Sequence, residues 1–312
     1  MEWPLVMSFR FPQSMSLNSL SGFASVHQLK PRNGRLLALA LAAGFSVLVL
    51  LLFRSGLGVF EEKLGAWGWT LFPDNTVEER LPLVVIDENS LAQVGPWPWT
   101  RSQMASLVSS IDGAGAQLQL HDIVYPEARA GDEEFLSALL ASNGVLLAQV
   151  PGLQPGQATQ AGLMTHPLTG VSCDAESGLQ FASTTNYLAP PASFAEIPKG
   201  HIAALISDDG AVRKTPAIVC VNNQAYPALA LAAFLQAANS DSWQASIEAE
   251  SGLFGPAYTL RFASYPGLDI PLDSEGNLRI SYQSSPASFR AISAVDVMSG
   301  NFEVGVLENQ WV

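Results

Sequence analysis

Charge is scarce in this 312-residue sequence: Asp, Glu, Lys and Arg make up 14% of it, against the quarter or so usual in a soluble globular domain. Bases are scarcer still, 15 against 28 acids, for a formal net charge of -13 and a pI near 4.6. So acidic a balance excludes a general nucleic-acid binder, which needs a basic footprint. Histidine is limited to His27, His121, His166 and His201, and their scatter gives no metal-ligand spacing, which argues against zinc. A Gly-x-Ser-x-Gly elbow, a phosphate loop, a dinucleotide fingerprint and a kinase signature are all missing, and no motif pairs a nucleophile with a base. Nothing therefore marks the chain as an enzyme, and no cofactor is implied.

Apolar residues, by contrast, make up 48% of the chain, and part of that excess is concentrated. Leu36 to Phe53 (LLALALAAGFSVLVLLLF) runs 18 residues without a charge. At about 1.5 Å per residue it crosses most of a hydrocarbon core of roughly 30 Å, so a transmembrane helix is expected over 36–53. Four bases, Arg10, Lys30, Arg32 and Arg35, precede it against Glu2 alone, which by the positive-inside rule leaves the N-terminus in the cytoplasm. The remaining 11 bases and 27 acids follow it, so residues 54–312 are expected outside the cytoplasm. A cleaved signal peptide is the competing reading, but no small-x-small cleavage site follows the run, and a signal-anchor fits better. Residues 1–35 show no sustained period and are expected to be disordered. Residues 54–74 form a membrane-proximal segment in which Trp67 and Trp69 either mark the lipid boundary or pack on the domain.

Beyond residue 74 the pattern is that of an α/β fold, a mainly parallel sheet covered by helices with a later mixed and antiparallel part. Leu83 to Asp87 is a short apolar run suited to a buried strand. Thr100 and Gln103 form a capping box, and Met104, Leu107, Val108 and Ile111 recur at helical spacing until Gly113 and Gly115. Ala116 to Ile123 alternates as a strand, a second helix opens at Asp132, and Val145 to Val150 is a third strand. Such a β-α-β-α-β series implies parallel pairing. Residues 151–200 are punctuated by Pro and Gly, either an excursion that shapes a site or a packed surface loop. Regular structure returns with His201 to Ile206, a turn at Ser207 to Gly210, a strand through Val221, and a helix with Pro227 at its first position. Short strands follow at Tyr258 to Phe262 and Leu278 to Ser281.

Asp87 and Asp122 both end strands expected to be parallel and so project from the carboxyl edge, where open α/β sheets bind ligands. With Glu88 beside Asp87 and Asp132 opening a helix, these carboxylates either hold a hard cation or cationic ligand, or cap helices and pair with Arg101. Arg101 in the first turn of a helix opposes the dipole, which suggests a specific acidic partner. Trp97 and Trp99 flank Pro98 and form either an aromatic wall or part of the core. The only two cysteines, Cys173 and Cys220, are expected on the oxidising side and to form a disulfide, the alternative being two free buried thiols.

The residues Val84, Val85, Ile86, Asp87, Ser90 and Leu91, then Gly95-Pro96-Trp97-Pro98-Trp99-Thr100-Arg101, Ala105, Leu107, Gly115-Ala116 and Asp122, resemble the CHASE2 family of extracytoplasmic sensor domains. Downstream, Asp209-Gly210, Val212-Arg213 and Pro216, with Tyr226-Pro227, Leu229 and Leu231, continue the likeness, which spans roughly residues 75–312. His121 departs from it, since the family favours an apolar or aromatic residue there. The resemblance implies the input region of a membrane-bound bacterial signalling protein in the inner membrane. Such a protein works as a homodimer, answers an unidentified small-molecule or extracellular signal, and drives a C-terminal cytoplasmic effector: a nucleotide cyclase, a cyclic-di-GMP synthase or phosphodiesterase, or a kinase. On this reading the chain is truncated at Val312. The alternative is a membrane-anchored binding or assembly module without enzymatic output. The resemblance carries no catalytic role, and it leaves open whether a metal is bound.

Overall fold

The computed structural model describes residues 31–52, 65, 67–69, 71, 73–74, 76–154, 159–174, 179–207, 209–238, 243–250 and 255–312. The segment 1–30 and most of the membrane-proximal segment lie outside them. The chain divides into two compact units, Met1–Glu61 and Glu62–Val312.

In the first unit the described residues begin with helix α1 (Pro31–Leu52). Along it Leu36, Leu39, Leu41 and Phe45 are each at least 60% exposed. Among the described residues no helix is long and apolar enough to cross a membrane. Side chains are described only from Gly34 to Val49.

The second unit is a mixed α/β structure with both parallel and antiparallel strands. Its elements up to the third strand are β1 (Glu78–Val85), α2 (Glu88–Val94), α3 (Arg101–Gly113), β2 (Gln119–His121), α4 (Asp132–Ala141) and β3 (Val145–Pro151). The Pro/Gly-rich stretch contributes β4 (Gln160–Ala161), β5 (Ala182–Thr184), β6 (Tyr187–Leu188) and β7 (Lys199–His201). Then come β8 (Leu205–Ile206), β9 (Val212–Pro216), β10 (Ile218–Val221), β11 (Gln224–Pro227) and α5 (Leu229–Ala237). The chain continues with β12 (Ala245–Ala249), β13 (Tyr258–Phe262), β14 (Ile270–Leu272), β15 (Asn277–Arg279), β16 (Phe289–Ser293) and α6 (Ala294–Ser299).

The parallel part is divided. β3 lies between β2 and β7, parallel to both, with Leu120 opposite Leu146 and Ala148 opposite Gly200. Among the described residues β1 instead pairs parallel with β16 alone, Val84 opposite Ile292. Antiparallel ladders join β10 to β11, β12 to β13 to β14, and β9 to β8 and β15.

Side chains alternate across a strand, so β3 faces two different cores. Val145 and Leu147 join a layer with Met104, Val108 and Ile111 of α3 and Phe135 and Leu139 of α4. Leu146 enters the other layer, with Leu231 and Leu235 of α5, Ile218, Leu260 and Phe262. Burial on both faces is what makes β3 apolar from Val145 to Ala148 without alternation. α5 lies so close to β7 that a methyl on Gly200 would stand 2.4 Å from the Leu229 Cα, so this position admits only glycine without a backbone shift.

Several boundaries differ from expectation. Pro227 does not open the helix: it is the last residue of β11, paired with Ile218, and α5 is capped by Ala228. The strand expected through Val221 is two strands in different sheets, β9 and β10, parted at Ala217. The irregular segment packs: Ala189, Phe194 and Ile197 are buried, and Ser183 of β5 lies opposite Cys220 of β10. Cys173 and Cys220 form a disulfide with an S–S distance of 1.99 Å, fastening this excursion to β10. The two cysteines are 47 residues apart, and closing a loop of that size stabilises by at most about 4 kcal/mol in the chain-entropy model. Replacing both cysteines by alanine should therefore lower the urea midpoint, with a loss of unfolding free energy approaching that limit. An unchanged midpoint would show that the cross-link contributes nothing.

Candidate functional site

Asp87 follows β1 and caps α2. Its Oδ1 accepts from the Ser90 N–H at 2.9 Å, the Ser90 hydroxyl at 2.8 Å and the Ser293 hydroxyl at 2.7 Å. Ser90 is fully buried, and its Oγ accepts in turn from the Val295 N–H at 3.1 Å. Ser293 ends β16 and leads into α6, so one carboxylate fastens together the ends of the two paired strands and the helices that follow them. The Ser293 hydroxyl first, then the Ser90 groups, hold the Asp87 carboxyl below the usual carboxylate range. Glu88, one residue on, is exposed in the first turn of α2.

The Trp-Pro-Trp string turns the chain from α2 into α3. Its Trp97–Pro98 peptide is cis, and Gly95 ahead of it has φ 125°, a conformation that favours glycine. Trp99 belongs to the core and donates its indole N–H to the Gly95 carbonyl at 2.9 Å, while Trp97 is 45% exposed, its ring centroid 6.2 Å away. Thr100 and Gln103 form the expected capping box.

Arg101 has the acidic partner that its position required. It is 5% exposed, its Nε donates to Asp132 Oδ1 at 2.6 Å, and its Nη2 donates to the Glu127 carbonyl at 2.9 Å. The guanidinium lies 4.6 Å from the Tyr125 ring centroid and 5.7 Å from that of Phe135. Asp132 Oδ2 also accepts from the Arg129 N–H at 2.9 Å. Arg101 and Asp132 thus join α3 to α4. Gly210 and Arg213 belong to the hairpin between β8 and β9, where Arg213 meets Asp209 through two bonds of 2.8 Å.

Asp122, exposed just past β2, lies on the rim of an open cleft of ≈ 670 Å³. The walls are Leu83 to Ile86 on one side and Gln119 to Ile123 on the other, with Met104, Leu107 and Ile111 of α3 along one face. Leu91, Trp97 and Val312 complete the lining. A second hollow of ≈ 110 Å³ shares Trp97, Met104 and Ile123 with it and reaches Arg101 and Glu127. His121 on the cleft wall is 8% exposed, with Nδ1 3.3 Å from the Tyr125 hydroxyl, and burial pushes its pKa down to about 4. Asp87, Glu88, Asp122 and Asp132 do not converge, and among the described residues no three His, Cys, Asp or Glu stand where they could hold a metal ion. What the edge offers is an apolar cleft with one carboxylate at its rim.

Sequence reasoning missed Lys199, which is fully buried on β7. Its Nζ donates to the Thr165 hydroxyl at 2.7 Å and to the carbonyls of Phe194 and Ile197 at 2.6 and 2.9 Å. Burial lowers its pKa to about 8, and burial followed by the Lys199 charge lowers that of His166 to about 4. The signal was available: a lysine between apolar Ile197 and Ile202 with no acid beyond Glu196 close by.

Residues 42–312 match the family model of the CHASE2 domain. The chain belongs to the CHASE2 family. No curated protein and no solved structure matches it. CHASE2 domains are sensory, extracytoplasmic and non-catalytic, and they occur in signalling proteins. The match covers α1 from residue 42 and the whole of the cleft, so the candidate site belongs to the CHASE2 domain itself.

Two expectations follow. Asp87→Ala removes three accepted hydrogen bonds and should lower the urea midpoint, while Asp122→Ala, on the open rim, should leave it unchanged; equal effects would contradict these assignments. Three histidines, the buried His121 near 4 and His201 near 3 and the half-buried His166 near 4, titrate below the unfolded value of 6.5. The unfolded chain then binds more protons between the two values, so stability is full above pH 6.5 and falls on acidification toward pH 4. The slope approaches about 1.4 kcal/mol per pH unit for each histidine. A melting temperature independent of pH from 7 to 4 would refute this.

Proposed function

We propose that this CHASE2 chain is the sensory input region of a membrane-bound bacterial signalling protein. Residues 36–53 cross the inner membrane, residues 54–312 lie in the periplasm, and a cytoplasmic effector is controlled through the membrane. The observation that carries this reading is the family match, which begins at residue 42, inside the apolar run. The exposed leucines of α1 support it, because a helix apolar all round and open to its surroundings suits lipid better than water. So do the bases Lys30, Arg32 and Arg35 just ahead of the run. A disulfide fits an oxidising compartment.

A single span has no internal lever, so the chain acts as a homodimer whose paired membrane segments change placement when a signal is bound. A ligand need prefer one of two states by only a few kcal/mol to shift the population substantially. The cleft beneath Trp97, with Asp122 on its rim, is the surface best shaped to take part. Alkaline phosphatase fused after Gly200 should be active. A silent phosphatase, with an active cytoplasmic reporter at the same point, would overturn the topology.

A further inference from the structure

The hollow of ≈ 110 Å³ beside the large cleft stands where the chain leaves β2 and where it enters α3. That is the carboxyl end of β2, the edge at which open α/β sheets bind ligands. Its walls are apolar and aromatic: Trp97, Pro98 and Trp99 from the turn before α3, and Ile123, Val124 and Tyr125 from the segment after β2. The charged residues that line it are Arg101, Arg129 and Glu127. An apolar cavity of roughly 150 Å³ takes a benzene ring, so a space somewhat smaller takes a molecule of about five or six non-hydrogen atoms.

Arg101 sets the chemistry. The side chain is 5% exposed, Nε gives its hydrogen to Asp132, and Nη2 gives one of its two to the Glu127 carbonyl. Among the described residues both hydrogens of Nη1 and the second of Nη2 have no acceptor. A buried guanidinium stays charged, and leaving its donors empty is costly. Its planar fork of adjacent N–H groups matches the two oxygens of a carboxylate. Arg129 supplies a second positive charge. Its Nη2 lies 3.3 Å from Glu127 Oε2, but both side chains are open to water, 47% and 72% exposed, and such a pair is too weak to hold Arg129 away from another anion. The apolar walls favour an anion with a hydrocarbon body over phosphate, which would have to shed water from every oxygen.

We propose that the hollow binds a small aliphatic monocarboxylate of about three or four carbons, its carboxylate on the Nη1 and Nη2 donors of Arg101 with Arg129 beside it. The hydrocarbon chain lies against Trp97, Pro98 and Val124. An acid held there ties the turn before α3 to the segment that leads into α4, the two helices that Arg101 and Asp132 already join. The inference deepens the sensory reading and rests on it only for the role of the acid as a signal.

The test is the binding of sodium butyrate to the chain in deuterated detergent, read as saturation transfer from the protein's aromatic rings to the butyrate protons, with butyramide as the uncharged isostere. Butyrate should bind about tenfold or more tighter than butyramide. Arg101→Lys keeps the charge but loses the fork, and should weaken butyrate by about tenfold or more. Should that variant fail to fold, Arg129→Gln, a change at an exposed side chain, must weaken butyrate and leave butyramide untouched. Equal binding of butyrate and butyramide, or undiminished butyrate binding in the variant that folds, would overturn the proposal. So would displacement of butyrate by an equal concentration of inorganic phosphate, the mark of an unselective anion site. Binding is measured without reference to topology, which the phosphatase fusion tests alone, so failure of the one is distinguishable from failure of the other.

Discussion

Everything in the larger unit is arranged around one requirement: the short sheet β2–β3–β7 must be kept from water on both faces at once. α3 and α4 cover one face through Met104, Val108, Ile111 and Phe135. α5, β10 and the β12–β13–β14 ladder cover the other through Leu231, Leu235, Ile218, Leu260 and Phe262. The polar groups inside obey the same rule. Lys199 lies at full burial with three oxygen acceptors, and Arg101 is enclosed by Asp132, the Glu127 carbonyl and two aromatic rings. A buried cation is tolerated only when it is satisfied in this way.

Local signals in the sequence were reliable where local physics decides. The capping box at Thr100 and Gln103, the spacing of Met104, Leu107, Val108 and Ile111, and the acidic opening of α4 at Asp132 each fix a helix within a few residues. Tertiary constraints were not legible in the same way. Pro227 is as acceptable at the end of an edge strand as at the start of a helix, and only the pairing of β11 with β10 separates the two. The excursion over 151–200 carries no period because its order comes from distant partners: the disulfide at Cys220 and the ladder to β10.

The candidate site shows the same division. That Asp87 and Asp122 each stand just past the end of a strand was readable; that they do not converge, and what each does, was not. Asp87 is consumed by Ser90 and Ser293, the latter more than two hundred residues away, and Asp132 by Arg101 and Arg129. No spacing in the sequence announces the Ser293 contact, since it exists only because β16 lies beside β1. The cleft was equally hidden, because a gap between two strands is a property of their neighbours.

β3 has one further consequence. Leu146 and Leu147 are adjacent in the chain, yet one packs in each hydrophobic layer, so the strand is a wall shared by two otherwise separate cores. Close packing leaves such a wall little freedom to move without loosening or crowding both sides. Substitutions in α3 and α5, which stand on opposite sides of it, are therefore thermodynamically coupled, and double-mutant cycles between Val108 and Leu231 would register an interaction energy without any shared contact.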